Sequence, residues 1–248
     1  MMRRVNVLGV KISAVNKKTA IDYLMNNINQ ARAKYICACN VHTTVTAYEN
    51  EEYREIQNKS FLTLPDGKPL SVIGFHKGFS EIGRVTGPDF MENIIEITEH
   101  TDKKHFFYGS TQESLNALHI YLNKSYPELK IVGLEPSLFR ELTEKEKQNL
   151  CNRINNSKAD FVWIALGAPR QERFCYELSK KTNAVWIAVG GAFNVLSGLI
   201  PRAPQWMQDS GLEWLFRLSK EPQRLFKRYA VTNTKFIYYL LKEMVGNY

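Results

Sequence analysis

The chain is short of almost every signature that would assign a common chemistry at sight. Its 248 residues contain no G-x-G-x-x-G run, no P-loop and no G-x-S-x-G elbow, which disfavours a nicotinamide enzyme, a P-loop nucleotidase and an α/β-hydrolase. The glycines of Gly190-Gly191-Ala192-Phe193-Asn194 lack the dinucleotide spacing and come late in the chain. No D-x-D pair occurs. A nucleotide-sugar enzyme built on this sequence would therefore have to neutralise a departing diphosphate with arginines and helix N-termini. The four cysteines (Cys37, Cys39, Cys151, Cys175) form no C-x-x-C pair and have no histidine at zinc-ligand spacing, so no metal is expected. Cys37 and Cys39 alternate in an apolar run and read as small buried strand residues. The five histidines are scattered, and only His42 falls near a strand end. No stretch approaches the roughly 20 apolar residues of a membrane span, and the N-terminal apolar run is too short for a signal peptide. A cytoplasmic protein is expected.

What is present is a basic, ordinary globular composition: 44% hydrophobic, 23% charged and a formal net charge of +8. That charge points to anionic partners, whether nucleic acid, phosphorylated small molecules or acidic lipid. No recognised nucleic-acid module accompanies it, so nucleic acid is disfavoured as a partner.

Strand and helix signals alternate along most of the chain. Strands are expected over Val5–Val10, Tyr35–Cys39, Phe61–Leu64, His105–Tyr108, Lys130–Val132, Phe161–Leu166 and Val185–Val189. Helices are expected over Lys17–Ala33, Thr43–Ile56, Pro69–Phe75, Phe90–Glu99, Gln112–Asn123, Thr143–Asn155, Arg170–Lys180 and Phe193–Leu196. Thr143 and Glu146 have capping-box spacing. Near-continuous apolar strands alternating with helices imply an α/β fold: a Rossmann-like, mostly parallel sheet with helices on both faces. Such sheets bind ligands beyond the C-terminal strand ends, where Asn40, Asp66, Ser110, Gln171 and Asn194 fall. Pro65-Asp66-Gly67 is first a turn sequence, but a carboxylate at that place can also act as a general base. Gly109-Ser110-Thr111 reads either as an ordinary helix cap or as a phosphate cradle.

The character changes near Arg202-Ala203-Pro204. Residues 1–200 read as the catalytic core and 201–248 as a C-terminal helical appendage, basic and aromatic. On a helical count Arg217, Lys220, Arg224, Lys227 and Arg228 fall along one stripe, opposite Leu215, Leu218, Leu225, Phe226 and Tyr229, with Pro222 restarting the helix. The stripe is either a solvated basic face or an interfacial element on anionic lipid, with Trp206, Trp214 and Phe226 near the headgroups.

The runs LPDGKPL, GRVTGPDF, FVWIALGAPRQERF and AVGGAFNVLSGLIPRAPQWMQDSGLEWLFRLSKEPQRLFKRY resemble the WecG/TagA/CpsF family of bacterial glycosyltransferases, from about Asn40 to about Tyr229. The resemblance implies an inverting, metal-independent transferase without cofactor. Its partners would be a UDP-sugar donor, a polyprenyl-diphosphate-linked sugar acceptor and an anionic membrane surface at the inner face of the cell membrane; it leaves a homo-oligomer open. The family's branches use N-acetylmannosamine, N-acetylmannosaminuronic acid, glucose or glucuronic acid, and UDP-galactose belongs among the donors to consider. N-acetylmannosamine is the expectation here, because no basic residue stands out as a reader of a uronate. By motif, the resemblance implies that Asp66 is the catalytic base and Arg84 a catalytic loop arginine. Asn40, Gln171, Arg217, Arg224, Lys227 and Arg228 would contact substrate, as would Gly67, Thr86, Gly109, Ser110, Gly167, Glu172, Gly191, Asn194 and Arg202 from the same runs and strand ends. Two positions depart from the family pattern. Ala38 stands where a threonine is common, and Asn194 stands where the family usually has an aspartate, which argues against acid–base work there.

Overall fold

The computed structural model describes residues 2–245, leaving aside the Arg224 side chain. An antiparallel ribbon opens the chain, β1 (Arg4–Val7) paired with β2 (Val10–Ser13). The single strand expected over Val5–Val10 is thus folded in two. Leu8 and Gly9 both take positive φ, 52° and 82°, the two-residue hairpin conformation that matches strand twist. The Asn6 side-chain oxygen accepts from the Gly9 N–H at 2.7 Å.

Next come α1 (Lys17–Asn26), α2 (Ile28–Ala31), β3 (Tyr35–Cys39), α3 (Val41–Glu49), α4 (Glu51–Lys59), β4 (Leu62–Pro65) and α5 (Lys68–His76). The helix expected over Thr43–Ile56 is two helices. Asn50 leaves helical geometry (φ −133°, ψ 108°) and its side chain accepts from the Tyr53 N–H at 2.7 Å, so one residue ends α3 and caps α4. Asn27 breaks the first predicted helix in the same region of the chain, its amide donating to the Tyr23 carbonyl at 2.9 Å. Then follow α6 (Gly87–Thr98), β5 (Lys104–Gly109), α7 (Gln112–Ser125), β6 (Lys130–Glu135), α8 (Glu144–Ser157), β7 (Phe161–Ala165), α9 (Arg170–Leu178), β8 (Val185–Ala188) and α10 (Ala192–Leu196). The Thr143–Glu146 capping box forms at the start of α8.

The six strands from β3 onward make one parallel sheet in the order β4-β3-β8-β7-β5-β6. Successive side chains of the inner strands enter opposite cores, as the two-residue period requires. Ile36, Trp163 and Ile187 pack with Leu24, Ile94, Leu118 and Phe193 on one face. Cys37, Val162 and Trp186 pack with Leu150, Ile154, Cys175 and Leu178 on the other. Burial on both faces explains why β3, β7 and β8 are apolar at every position. His105 is buried within the first of these layers. The Trp163 indole donates to its Nδ1 at 3.0 Å and the Thr98 hydroxyl sits 3.0 Å from its Nε2; burial pushes its pKa down to about 3, so it is a neutral packing residue.

The C-terminal part is α11 (Gln205–Asp209), α12 (Glu213–Lys220) and α13 (Pro222–Val245). α13 lies against α3: the Tyr48 and Tyr239 rings stack at 4.2 Å, and Glu49 accepts from Lys235 at 2.7 Å and from the Tyr239 hydroxyl at 2.6 Å. Leu225 and Phe236 are buried, Phe236 in a third core with Val7, Ile12, Tyr53 and Leu70. The single basic stripe expected along the tail does not form. Glu221 breaks the helix (φ −133°, ψ 56°), so Arg217 and Arg228 sit on different helices that both turn inward, while Lys220 and Lys227 are exposed. Among the described residues no helix is long and apolar enough to cross a membrane.

Candidate active site

The C-terminal ends of β3, β4, β7 and β8 open into one cavity of about 850 Å³, closed from above by α12 and α13. Local chemistry sets each wall. Asn40 caps α3: its side-chain oxygen accepts from the Thr43 N–H at 3.2 Å while the Thr43 hydroxyl accepts from the Asn40 N–H at 2.8 Å. This leaves the Asn40 amide for Asp66, to which it hydrogen-bonds. Asp66 follows β4 directly, its own N–H donating to the Cys39 carbonyl at 2.7 Å. Gly67, at φ 122°, then swings the chain into α5, a conformation that side chains resist. The turn and the strand-end carboxylate are therefore one feature.

Asp66 is half-buried. Burial raises its pKa from the ordinary 3.8 to about 6, and the Glu213 carboxylate pushes in the same direction. Arg217, Arg84 and the Asn40 amide pull it back. Arg84 and Glu213 form an ion pair that joins the loop before α6 to the first turn of α12. Carboxylate and cations thus reach the site from both the sheet and the C-terminal helices.

The opposite wall is the turn after β8. Gln171 on α9 is buried, accepting from the Gly190 N–H at 3.0 Å and donating to Glu172 at 2.8 Å. The Arg217 guanidinium lies close to Gly191, where a Cβ would stand 3.7 Å from it in ordinary contact. Asn194 accepts a hydrogen bond from the Ser114 hydroxyl, which ties α10 to the start of α7. Thr86, Ser110, Gly167 and Arg202 also line the cavity. Thr86 is at the same time the cap of α6, and Arg202 is paired with Glu92 at 2.9 Å and Asp89 at 3.5 Å.

Three expected contacts lie elsewhere. Gly109 does not line the cavity; at φ 121° it lets β5 approach β7, where a Cβ would fall 2.5 Å from the Ala165 carbonyl. Glu172 is one step around α9 from Gln171, about 100°, and points into the protein, fully buried and hydrogen-bonded by Gln171. Burial raises its pKa, and its role is to hold Gln171 rather than to meet a ligand. Lys227 is exposed on the outer side of α13. Arg224 lies outside the described side chains. The phosphate cradle expected at Gly109-Ser110-Thr111 is reduced to Ser110, because the Thr111 hydroxyl caps α7, accepting from the Ser114 N–H at 3.1 Å.

Residues that sequence reasoning missed also line the cavity: Glu213, Trp214, Tyr229, Thr232 and Asn233. Glu213 and Trp214 fall inside the GLEWL run, where spacing gave no hint of an inward carboxylate. His42, noticed only for its position, also lines it, with Nδ1 buried and unpartnered among the described residues, as is Nε of both Arg217 and Arg228. Burial and the nearby Arg228 charge lower the His42 pKa. Among the described residues no three His, Cys, Asp or Glu side chains converge to hold a metal ion. A carboxylate with a pKa near 6, set among guanidinium groups over a glycine floor, is equipped to accept a proton from a hydroxyl while an anion departs.

Two matches to known proteins bear on this site. The model of the glycosyl transferase WecG/TagA/CpsF family matches residues 5–248. The N-acetylglucosaminyldiphosphoundecaprenol N-acetyl-beta-D-mannosaminyltransferase of Bacillus subtilis (strain 168) is 29% identical over 230 residues, covering 92% of this chain and 87% of that protein.

Proposed function

The chain belongs to the WecG/TagA/CpsF family of glycosyl transferases, and on that premise we propose that it moves N-acetylmannosamine from a UDP donor to a polyprenyl-diphosphate-linked N-acetylglucosamine. The transferred sugar and the lipid-diphosphate acceptor follow the activity named for the Bacillus subtilis relative, and the UDP leaving group follows the family resemblance of the sequence. The observation that carries the reading is the placement of Asp66 at a strand end, raised to a pKa of about 6 and faced by Arg84 and Arg217.

The reaction is a single displacement with inversion. Asp66 takes the proton from the acceptor hydroxyl as that oxygen forms its bond to the anomeric carbon. The bond from that carbon to the diphosphate oxygen breaks, and UDP leaves with the electron pair. At neutral pH a group of pKa about 6 is mostly ionised, hence ready to accept a proton, and is more basic than an exposed aspartate. Arg84, Arg217 and Arg228 supply positive charge for the diphosphates, and no metal or other cofactor enters this scheme. Gln171, held by Glu172 and Gly190, fixes the wall at Gly191 that lets the donor approach the backbone.

The appendage, residues 201–248, places this site on a membrane. Trp206, Trp214 and Phe226 are 62%, 42% and 67% exposed, an arrangement suited to the headgroup region on the inner face of the cell membrane, where the net charge of +8 favours anionic lipid. The deciding experiment is a UDP-release screen with UDP-ManNAc, UDP-ManNAcA, UDP-glucose, UDP-galactose and UDP-glucuronate against a short-chain lipid-diphosphate-GlcNAc. UDP-ManNAc is expected to give acceptor-dependent release well above the others. Release from none of them, or equal release without acceptor, sinks the reading.

A further inference from the structure

The cavity has two chemically different ends. Asp66, Arg84, Gln171, Asn194 and Arg217 line the inner one. The outer one runs between α5 and α13 and is walled by Val72 and Ile73 on one side and by Phe236, Ile237 and Leu240 on the other. From Arg228 to Leu240 the α13 wall is about 18 Å long at 1.5 Å per residue. α5 is held against the C-terminal part beyond both ends of this groove, by the turn before α12 at one end and by α13 itself at the other. Near its start, Gly211 presses so closely on Lys68 that a Cβ would stand 2.9 Å from the lysine Cβ. At its far end Lys77 pairs with Glu243 at 3.6 Å. Val72 and Ile237 remain 40% and 58% exposed, so the groove is an open apolar trough leading out of a charged site. Where the two ends meet stand His42 and Arg228, the buried Nδ1 and Nε that have no partner among the described residues. A buried polar nitrogen without a partner is costly, and a phosphate oxygen would satisfy it; a neutral imidazole still offers one N–H.

We propose that the α5–α13 groove receives the first isoprene units of the acceptor's polyprenyl tail, with the acceptor diphosphate held between His42 and Arg228. This rests on the lipid-linked acceptor of the proposed function and adds the route by which the lipid leaves the site. The groove is concave and continuous with the catalytic end. The residues lining it on α5 beyond Lys68 and on α13 beyond Arg228 are uncharged, which suits a tail carrying an anionic head rather than a planar lipid surface.

The test is calorimetric binding of farnesyl diphosphate, below its micelle concentration, against inorganic diphosphate on the full chain. Farnesyl diphosphate is expected to bind at least tenfold more tightly. Ile237→Glu, and separately Val72→Glu on the facing wall, should abolish that margin and leave inorganic diphosphate binding unchanged; both sites are open enough for the fold to tolerate the change. Equal binding of the two ligands to the wild type overturns the proposal. So does a margin that survives in both variants, including the case in which they lose only anionic-vesicle binding and the trough is a membrane-facing patch. The readout needs neither donor nor turnover, so a failed UDP-release screen and a failed groove are separate results.

Discussion

Replacing Asp66 by Asn keeps the shape of the side chain and removes its charge, and the structure fixes the sign of the effect on stability as well as on rate. Folding raises the Asp66 pKa from 3.8 to about 6, so the native protein binds this proton more tightly than the unfolded chain does. At about 1.4 kcal/mol per tenfold change in proton affinity, the ionised carboxylate costs the native state about 3 kcal/mol at neutral pH. Solvent access to the half-buried group brings the figure to about 1–3 kcal/mol. Below about pH 4 the carboxyl is neutral in both states, and the variant gains nothing. Between about pH 4 and 6 the unfolded chain ionises first, so wild-type stability falls as pH rises. Above about pH 6 the difference is constant. Asp66→Asn should therefore melt about 2–12 °C above wild type at pH 7.5 and level with it near pH 4, while losing about 10²–10⁴ in transfer rate. Thermal unfolding at the two pH values, run beside a UDP-release assay, checks both halves. A variant that is less stable at pH 7.5, or that turns over at near wild-type rate, refutes the assignment of a strained catalytic base.

Glu213→Gln should move the acid limb of the kcat/KM profile, expected near pH 6, to lower pH, because it removes a carboxylate that raises the Asp66 pKa and frees Arg84 to lower it further; an unmoved limb contradicts that electrostatic picture. Deleting everything after Ile200 should leave a folded sheet, since the cores on its two faces draw on residues before that point. The truncated protein should lose transfer and anionic-vesicle binding together, and normal turnover on a lipid-linked acceptor would remove the appendage from the mechanism. Gly109→Ala should cost about 3 kcal/mol in urea unfolding, from strain at positive φ and collision with the Ala165 carbonyl; a loss under 1 kcal/mol would mean that β5 can shift away from β7.

The parallel sheet was legible because apolar strands and helix signals alternate, and the strand ends then placed Asn40, Asp66, Gln171 and Asn194 around one cavity without further information. Breaks inside helical stretches were not legible. Asn50 fits a helix pattern until its side chain is seen capping the next helix, and Leu8-Gly9 lacks the Asn-Gly of an obvious hairpin. The tail misled for a different reason. A helical count does not say which way a helix restarted at Pro222 will face; the break at Glu221 re-aims α13, and Lys227 and Arg228, about 100° apart on it, end outside and inside. Glu172 shows the limit of motif reading, since a residue adjacent to a cavity side chain on a helix faces about 100° away. Glu213 and His42 were hidden because their neighbours are supplied by segments more than a hundred residues distant.

The division of the site between two stretches of chain also bears on waste. A nucleotide sugar can be spent on water whenever a base and a leaving-group stabiliser meet it without an acceptor. Here the base, Asp66, stands on the sheet, while Arg217 and Arg228 stand on helices fastened to it through Arg84–Glu213, Tyr48–Tyr239 and Glu49–Lys235. On the proposed mechanism, a molecule whose helices have swung away keeps its base but lacks Arg217 for the departing diphosphate and Arg228 for the acceptor's. On that mechanism, hydrolysis of the donor should be restrained in every state except the assembled one.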